Sequence, residues 1–271
     1  MTLTTITPVW NRPDALKVWL KAIRAAAHPE VNHLIFFIGE VAPRKELDFT
    51  DLWTVDVIGI HFKEGRSIGY YHNEGAKMTT SEWIMKLDID TLPNPRYFKE
   101  LLPILVWAAP REWFNGGMLY LNRKASALLD TKDLTERNYT EIMENPGFYS
   151  ANSYLRPAGT NFICRRQEYL DLGGCDERFA GYGWEDYQQI YMLERYQRGA
   201  CPLSGRLDIT NVTWRCRDEI SRVKAWELFQ RNKWLCLMHR WHARSVANAY
   251  RTHMDANRRV LLDYIQKREK A

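Results

Sequence analysis

The chain has 271 residues, 45% of them hydrophobic and 26% charged, which is enough apolar material for a large globular domain and too much for wholesale disorder. Its most apolar stretch, Leu101 to Ala109, is short and broken by Pro103, so no membrane-spanning helix is expected, and five cysteines without a Cys-x-x-Cys pair suit reduced thiols rather than a disulfide frame. The net charge of +5 is uneven: from Ile209 to Ala271 there are 14 Lys+Arg against 6 Asp+Glu, whereas the remainder has 24 against 27, so a polyanionic partner is expected at the carboxyl-terminal end.

Leu3 to Val9 reads as a first strand, entered with no basic region or cleavage site, which gives the expectation of a cytoplasmic protein. Asn11-Arg12-Pro13-Asp14 then opens a helix with Pro in its first turn and Leu16, Leu20 and Ile23 on one face. His33 to Ile38 and Thr54 to Ile60 read as the second and third strands, and Ser67 caps a helix through Lys77 that carries Asn73-Glu74-Gly75. Trp83 to Leu87 has the length and apolar content of a buried strand. It ends in Asp88-Ile89-Asp90, where two carboxylates one residue apart share one side of an extended chain and can converge on a cation. Hard oxygen ligands of this kind suit Mg2+ or Mn2+ carrying a diphosphate better than zinc. Strands alternating with helices predict an α/β fold with a mainly parallel central sheet flanked by helices, whose ligands bind beyond the carboxyl ends of the strands.

A strand followed by Pro8-x-x-Asn11-Arg12-Pro13, a helix carrying Asn73-x-Gly75, and the Asp88-x-Asp90 strand end together resemble nucleotide-sugar glycosyltransferases of the GT-A fold, over roughly residues 3 to 200. The resemblance implies that Pro8, Asn11 and Arg12 hold the nucleotide and that Asn73 and His72 lie at the donor, with His72 standing where the family usually has Arg. It also implies that Glu40, after the second strand, replaces the usual Asp for base and ribose.

Asn94 to Trp107 predicts a helix, Glu112 to Tyr120 a strand with a Gly pair, and Ala158 to Arg166 a further strand; the polar residues 130 to 158 read as a mobile loop or acceptor insert. Next comes Gly173-Gly174-Cys175-Asp176-Glu177-Arg178-Phe179, followed by Gly181-Tyr182-Gly183-Trp184-Glu185-Asp186. This element is similar to the galactosyltransferase and chondroitin-polymerase branch of the same fold, where an acidic pair begins the helix over the acceptor. The resemblance implies that Asp186 is the base and Glu185 the acceptor-hydroxyl ligand, and chemistry supports it, because inverting transfer needs a carboxylate opposite the leaving diphosphate. Gly183 would let the backbone approach a sugar and Trp184 would stack on it. The same two acids would also complement the dipole of a helix running to about Arg198.

A last strand is expected at Leu207 to Trp214. In that branch a nearby His supplies the third metal ligand, and with none between Val212 and Arg217 either His239 or His242, further on in a stretch read here as helical, could fold back to take that place, His239 being preferred. The rest also reads as helical, with Val246, Tyr250, Met254, Leu261 and Ile265 on one stripe that docks on the catalytic domain or a second subunit, and with Arg251, Arg258 and Arg259 opposite.

The expected organisation is a nucleotide-sugar-binding part (1–120), an acceptor and catalytic part (121–217) and a basic helical extension (218–271). The expected function is metal-dependent transfer from a nucleotide sugar, a UDP-sugar in preference, with Mn2+ or Mg2+ held by Asp88, Asp90 and His239 and positive charge from Arg12 and Lys86 beside the phosphates. The acceptor is either a glycan or a hydroxymethylated DNA base, the latter served by the basic carboxyl-terminal region. Two rival classes remain open, a nucleotidyltransferase and an inactive sugar- or nucleic-acid-binding module.

Overall fold

The computed structural model describes residues 1–10, 12–38, 55–60, 66–148, 156–181, 183–197, 227–241 and 252–269. The strand expected at Leu207 to Trp214, the stripe positions Val246 and Tyr250, and the candidate donor residues Asn11 and Glu40 lie outside them.

Eight strands form one sheet: β1 (Leu3–Trp10), β2 (Val31–Ile38), β3 (Val55–Ile60), β4 (Trp83–Lys86), β5 (Thr91–Leu92), β6 (Phe114–Tyr120), β7 (Arg156–Arg165) and β8 (Cys236–His239), in the order β3-β2-β1-β4-β7-β6-β8-β5. The half from β3 to β4 is parallel, and the sheet turns antiparallel at β7. Parallel strands are buried on both faces and read as near-continuous apolar runs, as β2 does with one exposed residue in eight.

Alternation along each strand sorts side chains between two cores. Leu3 and Val9 of β1, Val31, Ile35 and Phe37 of β2, and Trp83 and Met85 of β4 face α1 (Pro13–Ala25), α3 (Tyr97–Val106), α4 (Arg123–Thr131) and α5 (Glu136–Glu144). Ile6, Leu34, Phe36 and Ile84 point the other way, toward α2 (Ile68–Met78), α6 (Arg166–Asp171) and α7 (Glu185–Gln197). The final helix, α8 (Met254–Glu269), forms an outer layer, with Leu261 and Ile265 buried against Trp184, Tyr187 and Tyr191 of the α7 region.

Two expectations are corrected. Residues 136–148, expected in a mobile loop, form α5 and a 3-10 turn; Thr135 caps the helix by accepting from the Asn138 N–H, and Tyr139 and Ile142 are buried in the core. Residues 236–239, expected in a helix, form β8 between β6 and β5, held in part by the Asn94 side chain, which donates to the Trp234 and Cys236 carbonyls. The segment after 218 thus contributes a central strand as well as the outer helix.

One buried side chain fastens α2 to the loop ahead of α7. Asn73 donates to the Cys175 carbonyl at 2.8 Å, while its oxygen accepts from the Cys175 N–H at 2.8 Å and the Tyr169 hydroxyl at 2.9 Å. Gly174 sits at φ +62, where a Cβ would overlap the Asn73 amide, so the Gly-Gly turn is what allows this approach. Asn73→Ala removes three buried hydrogen bonds and should cost about 2–4 kcal/mol of stability, read as a lower urea midpoint at unchanged slope; a loss under about 1 kcal/mol would show that water replaces the amide.

Candidate active site

Strand parity decides the centre of the site. Ile84 of β4 faces α2 and α7, so Lys86, two residues on, points the same way and meets the first turn of α7. Its Nζ donates to Asp186 Oδ1 at 2.7 Å, with the Lys86 side chain 2% and the Asp186 side chain 8% exposed. Burial opposes the Lys86 ammonium, but the carboxylates of Asp186, Asp88 and Glu185 outweigh it and hold Lys86 above the ordinary lysine range. Asp88 and Asp186, almost a hundred residues apart, thus act on one ammonium.

Beyond β4 the chain turns, the Thr91 N–H bonding the Asp88 carbonyl at 2.9 Å. Asp90 is held from three sides. Arg12, at the start of α1, donates to Oδ2 at 2.7 Å; His239 Nε2 lies 3.7 Å from Oδ1; and the Arg240 N–H donates to the Asp90 carbonyl at 2.8 Å. Tyr120 stacks on the His239 ring at 4.6 Å and fixes its plane. Asp88 is half-buried, and its N–H donates to Asn161 Oδ1 at 3.4 Å.

Asp90 and His239 therefore present a carboxylate and an imidazole side by side, a donor set that suits Mn2+. Among the described residues no three His, Cys, Asp or Glu side chains are grouped as a metal cage.

Other expected site residues fall in different surroundings. His72 is buried, and among the described residues neither ring nitrogen has a hydrogen-bond partner. Burial, aided by the Lys86 charge, holds its pKa far below the ordinary histidine value, so it is a neutral ring beneath the site and not a cation on the phosphates. Lys86 is spent on the acidic cluster, and Asn73 serves the Cys175 turn. The Trp184 ring is buried against Tyr187, with centroids 4.9 Å apart, and under α8, so it is not an open stacking platform for a sugar. Gly183, at φ +109, allows close approach of Met254 in α8, whose sulfur a Cβ would overlap. Pro8 is half-buried in β1 opposite Phe36.

Two positions escaped the sequence reading. Asn257 of α8 donates to the Ala180 and Gly183 carbonyls at 2.8 and 3.0 Å and accepts from the Ala180 N–H at 3.0 Å, so it clamps the turn that delivers Glu185 and Asp186. Asn161 supports Asp88 from β7; its only signal was an amide directly before the apolar run Phe162-Ile163-Cys164.

A glycosyltransferase-like family 2 model matches residues 59–270 of this chain. The chain belongs to that family. No curated protein matches this family 2 member at a significant level. Among solved structures, S. aureus TarS is 14% identical over 71% of this chain and 33% of its own, with a TM-score of 0.47. The TarS 1-349 structure is covered over 55% of its length, so the family 2 member spans little more than half of it. Glucosyl-3-phosphoglycerate synthase from Mycobacterium tuberculosis, solved with Mn2+, UDP and glucosyl-3-phosphoglycerate, is also 14% identical, over 72% of this chain and 66% of its own, at 0.47. No helix among the described residues is long and apolar enough to cross a membrane.

Glu185 gives the site a pH signature. Burial pushes its carboxyl up to about 8, the Asp186 charge adding and Lys86 opposing. An acid whose pKa is raised on folding binds more protons in the native state, so stability falls as pH rises from the ordinary carboxylate range through about 8. Glu185→Gln should flatten that fall, which urea midpoints taken at pH 5 and pH 8 will check; an equal fall in both proteins would locate the proton elsewhere.

Proposed function

We propose that this protein transfers a glycosyl unit from a nucleotide sugar, a UDP-sugar in preference, to an acceptor hydroxyl, with inversion at the anomeric carbon. The observation that carries the proposal is the Lys86–Asp186 bond, which ties the strand leading into Asp88 and Asp90 to the helix that bears the acidic pair. Donor and acceptor chemistry then share one cleft.

In this reading Asp186 takes the proton of the acceptor hydroxyl as its oxygen bonds to the anomeric carbon and the bond to the diphosphate breaks. Lys86 holds its Oδ1 and orients the carboxylate for this. Glu185, buried behind it and retaining its proton, supports the site as a neutral hydrogen-bonding group in place of a second charge. Arg12 already lies on Asp90 with its side chain about a third exposed, and it adds positive charge where phosphate oxygens arrive. Asp90 and His239, with Asp88 beside them, would hold Mn2+ or Mg2+, which when bound supplies Lewis-acid and orienting chemistry for the departing diphosphate. The acidic pair Glu185-Asp186 aligns with the galactosyltransferase and chondroitin-polymerase branch and favours kinship with it, although the order Gly183-Trp184 departs from that branch's motif by one residue.

For the acceptor, Arg258 and Arg259 stand exposed on the outer helix and favour a polyanionic substrate such as hydroxymethylated DNA over a neutral glycan. A cytoplasmic setting accords with such a substrate.

Asp186→Asn should lower the rate of sugar release or transfer by about 10²–10⁴-fold while donor affinity stays within threefold; the assay measures free nucleoside diphosphate over a panel of nucleotide sugars with Mn2+. Turnover near that of the unaltered protein would remove Asp186 from its role, and pyrophosphate as product would point to nucleotidyl transfer. His239→Ala should weaken Mn2+ binding to the UDP-saturated protein by at least the roughly 10–100-fold that outer-sphere partners contribute; titration calorimetry showing equal affinity would place the ion elsewhere.

A further inference from the structure

At the far end of α7, remote from the acidic pair, a cavity of about 200 Å³ is walled by Tyr191, Tyr196 and Tyr264 and rimmed by Arg111, Arg195 and Arg268. We propose that this pocket is a second binding site, specific for a phosphate group and distinct from the transfer centre. Arg195 is nine residues beyond Asp186 on one helix, about 13 Å along its axis, so one phosphate cannot serve both places.

Three arginines from three different segments line it, from the turn before β6 and from the last turns of α7 and α8. Each is aimed by the wall. Arg111 stacks over the Tyr196 ring at 5.1 Å, Arg268 over Tyr264 at 5.5 Å while donating to the Leu172 carbonyl at 3.1 Å, and Arg195 donates to the Tyr191 hydroxyl at 3.2 Å. The Glu168 carboxylate accepts from the Arg111 backbone N–H at 3.1 Å.

Cations at the ends of α7 and α8 are favourable for the helices themselves. That does not account for Arg111, which lies in a turn at φ +65, a conformation that glycine would adopt without strain. A side chain at such a position, stacked on Tyr196 in a pocket that two other arginines line, fits recognition of a tetrahedral anion, which arginines bind through paired N–H donors. The volume falls below the roughly 300–1,000 Å³ of sites for whole drug-sized ligands. It suits a phosphate monoester or a single phosphodiester link, not a complete nucleotide sugar.

The source of the phosphate is either a small phosphorylated molecule or the backbone of a nucleic acid, and two probes separate them: inorganic pyrophosphate and a single-stranded 12-nucleotide DNA, titrated in EDTA at low salt. At least one should bind the unaltered protein and lose tenfold or more in affinity in the R111G/R268S double variant, the tighter probe naming the source. Glycine suits the backbone at 111, and both side chains are exposed, so the variant should fold with an unchanged melting temperature. As a check on the unaltered protein, the bound probe should shield Arg111 and Arg268 from phenylglyoxal, read by peptide mass spectrometry. Binding of neither probe, equal binding by the variant, or no shielding would overturn the proposal. Sugar release by the double variant is expected to be unchanged, so this test stands or falls apart from the transfer chemistry.

Discussion

A buried ion pair, Lys86 with Asp186, is the constraint on which the rest of this molecule depends. Taking both charges out of water costs several kcal/mol per ion, which a single 2.7 Å contact repays only in good geometry. Such a pair is a poor device for stability, and a packed apolar pair would serve a plain core as well. Here it fixes position. β4 cannot shift by one residue without turning Lys86 to the opposite face of the sheet, and α7 cannot slide without stranding a carboxylate. Burial at 1% exposure is the main reason that Glu185 holds its proton, and the Asp186 charge adds to it, while Lys86, already acted on by Asp186 and Asp88, opposes it only in part.

Two asparagines complete what the ion pair begins. Asn73 fixes the start of the 173–183 turn from α2, and Asn257 fixes its end from α8, each with three hydrogen bonds to neighbouring groups. The outer helix is therefore part of the device that presents the acidic pair, not an appendage to it. Glycines at 174 and 183 are needed because the Asn73 amide and the Met254 thioether press on the backbone there.

The alternation that builds the sheet was open to reading in the sequence, because β1, β2 and β4 are apolar runs closed by turn residues. Asp88-x-Asp90 and Glu185-Asp186 were legible as well, since their chemistry lies in residue type and local order. The Lys86–Asp186 partnership was not, since nothing near position 86 names Asp186, whereas the approach of His239 to Asp90 was expected only through the family resemblance. His72, Asn73 and Trp184 were assigned to ligands from motif position, yet each is turned inward by helix phase or by α8, which no local window contains. The strand 236–239 failed for a simpler reason: four apolar residues between polar neighbours carry no period that separates strand from helix. In α5 only Tyr139 and Ile142 are buried, and two residues at that spacing hardly stand out against a polar background.

The central claim is that the Asp90–His239 pair and Asp186 serve one cleft. A crystal structure with UDP and Mn2+, phased to show anomalous scattering from the metal, tests it most directly. The expected result is a Mn2+ peak within ligand distance of Asp90 and His239, with the UDP diphosphate on it and the space beside Asp186 open to the sugar position. A metal bound away from both residues, or UDP seated on a face that Asp186 does not reach, would contradict it.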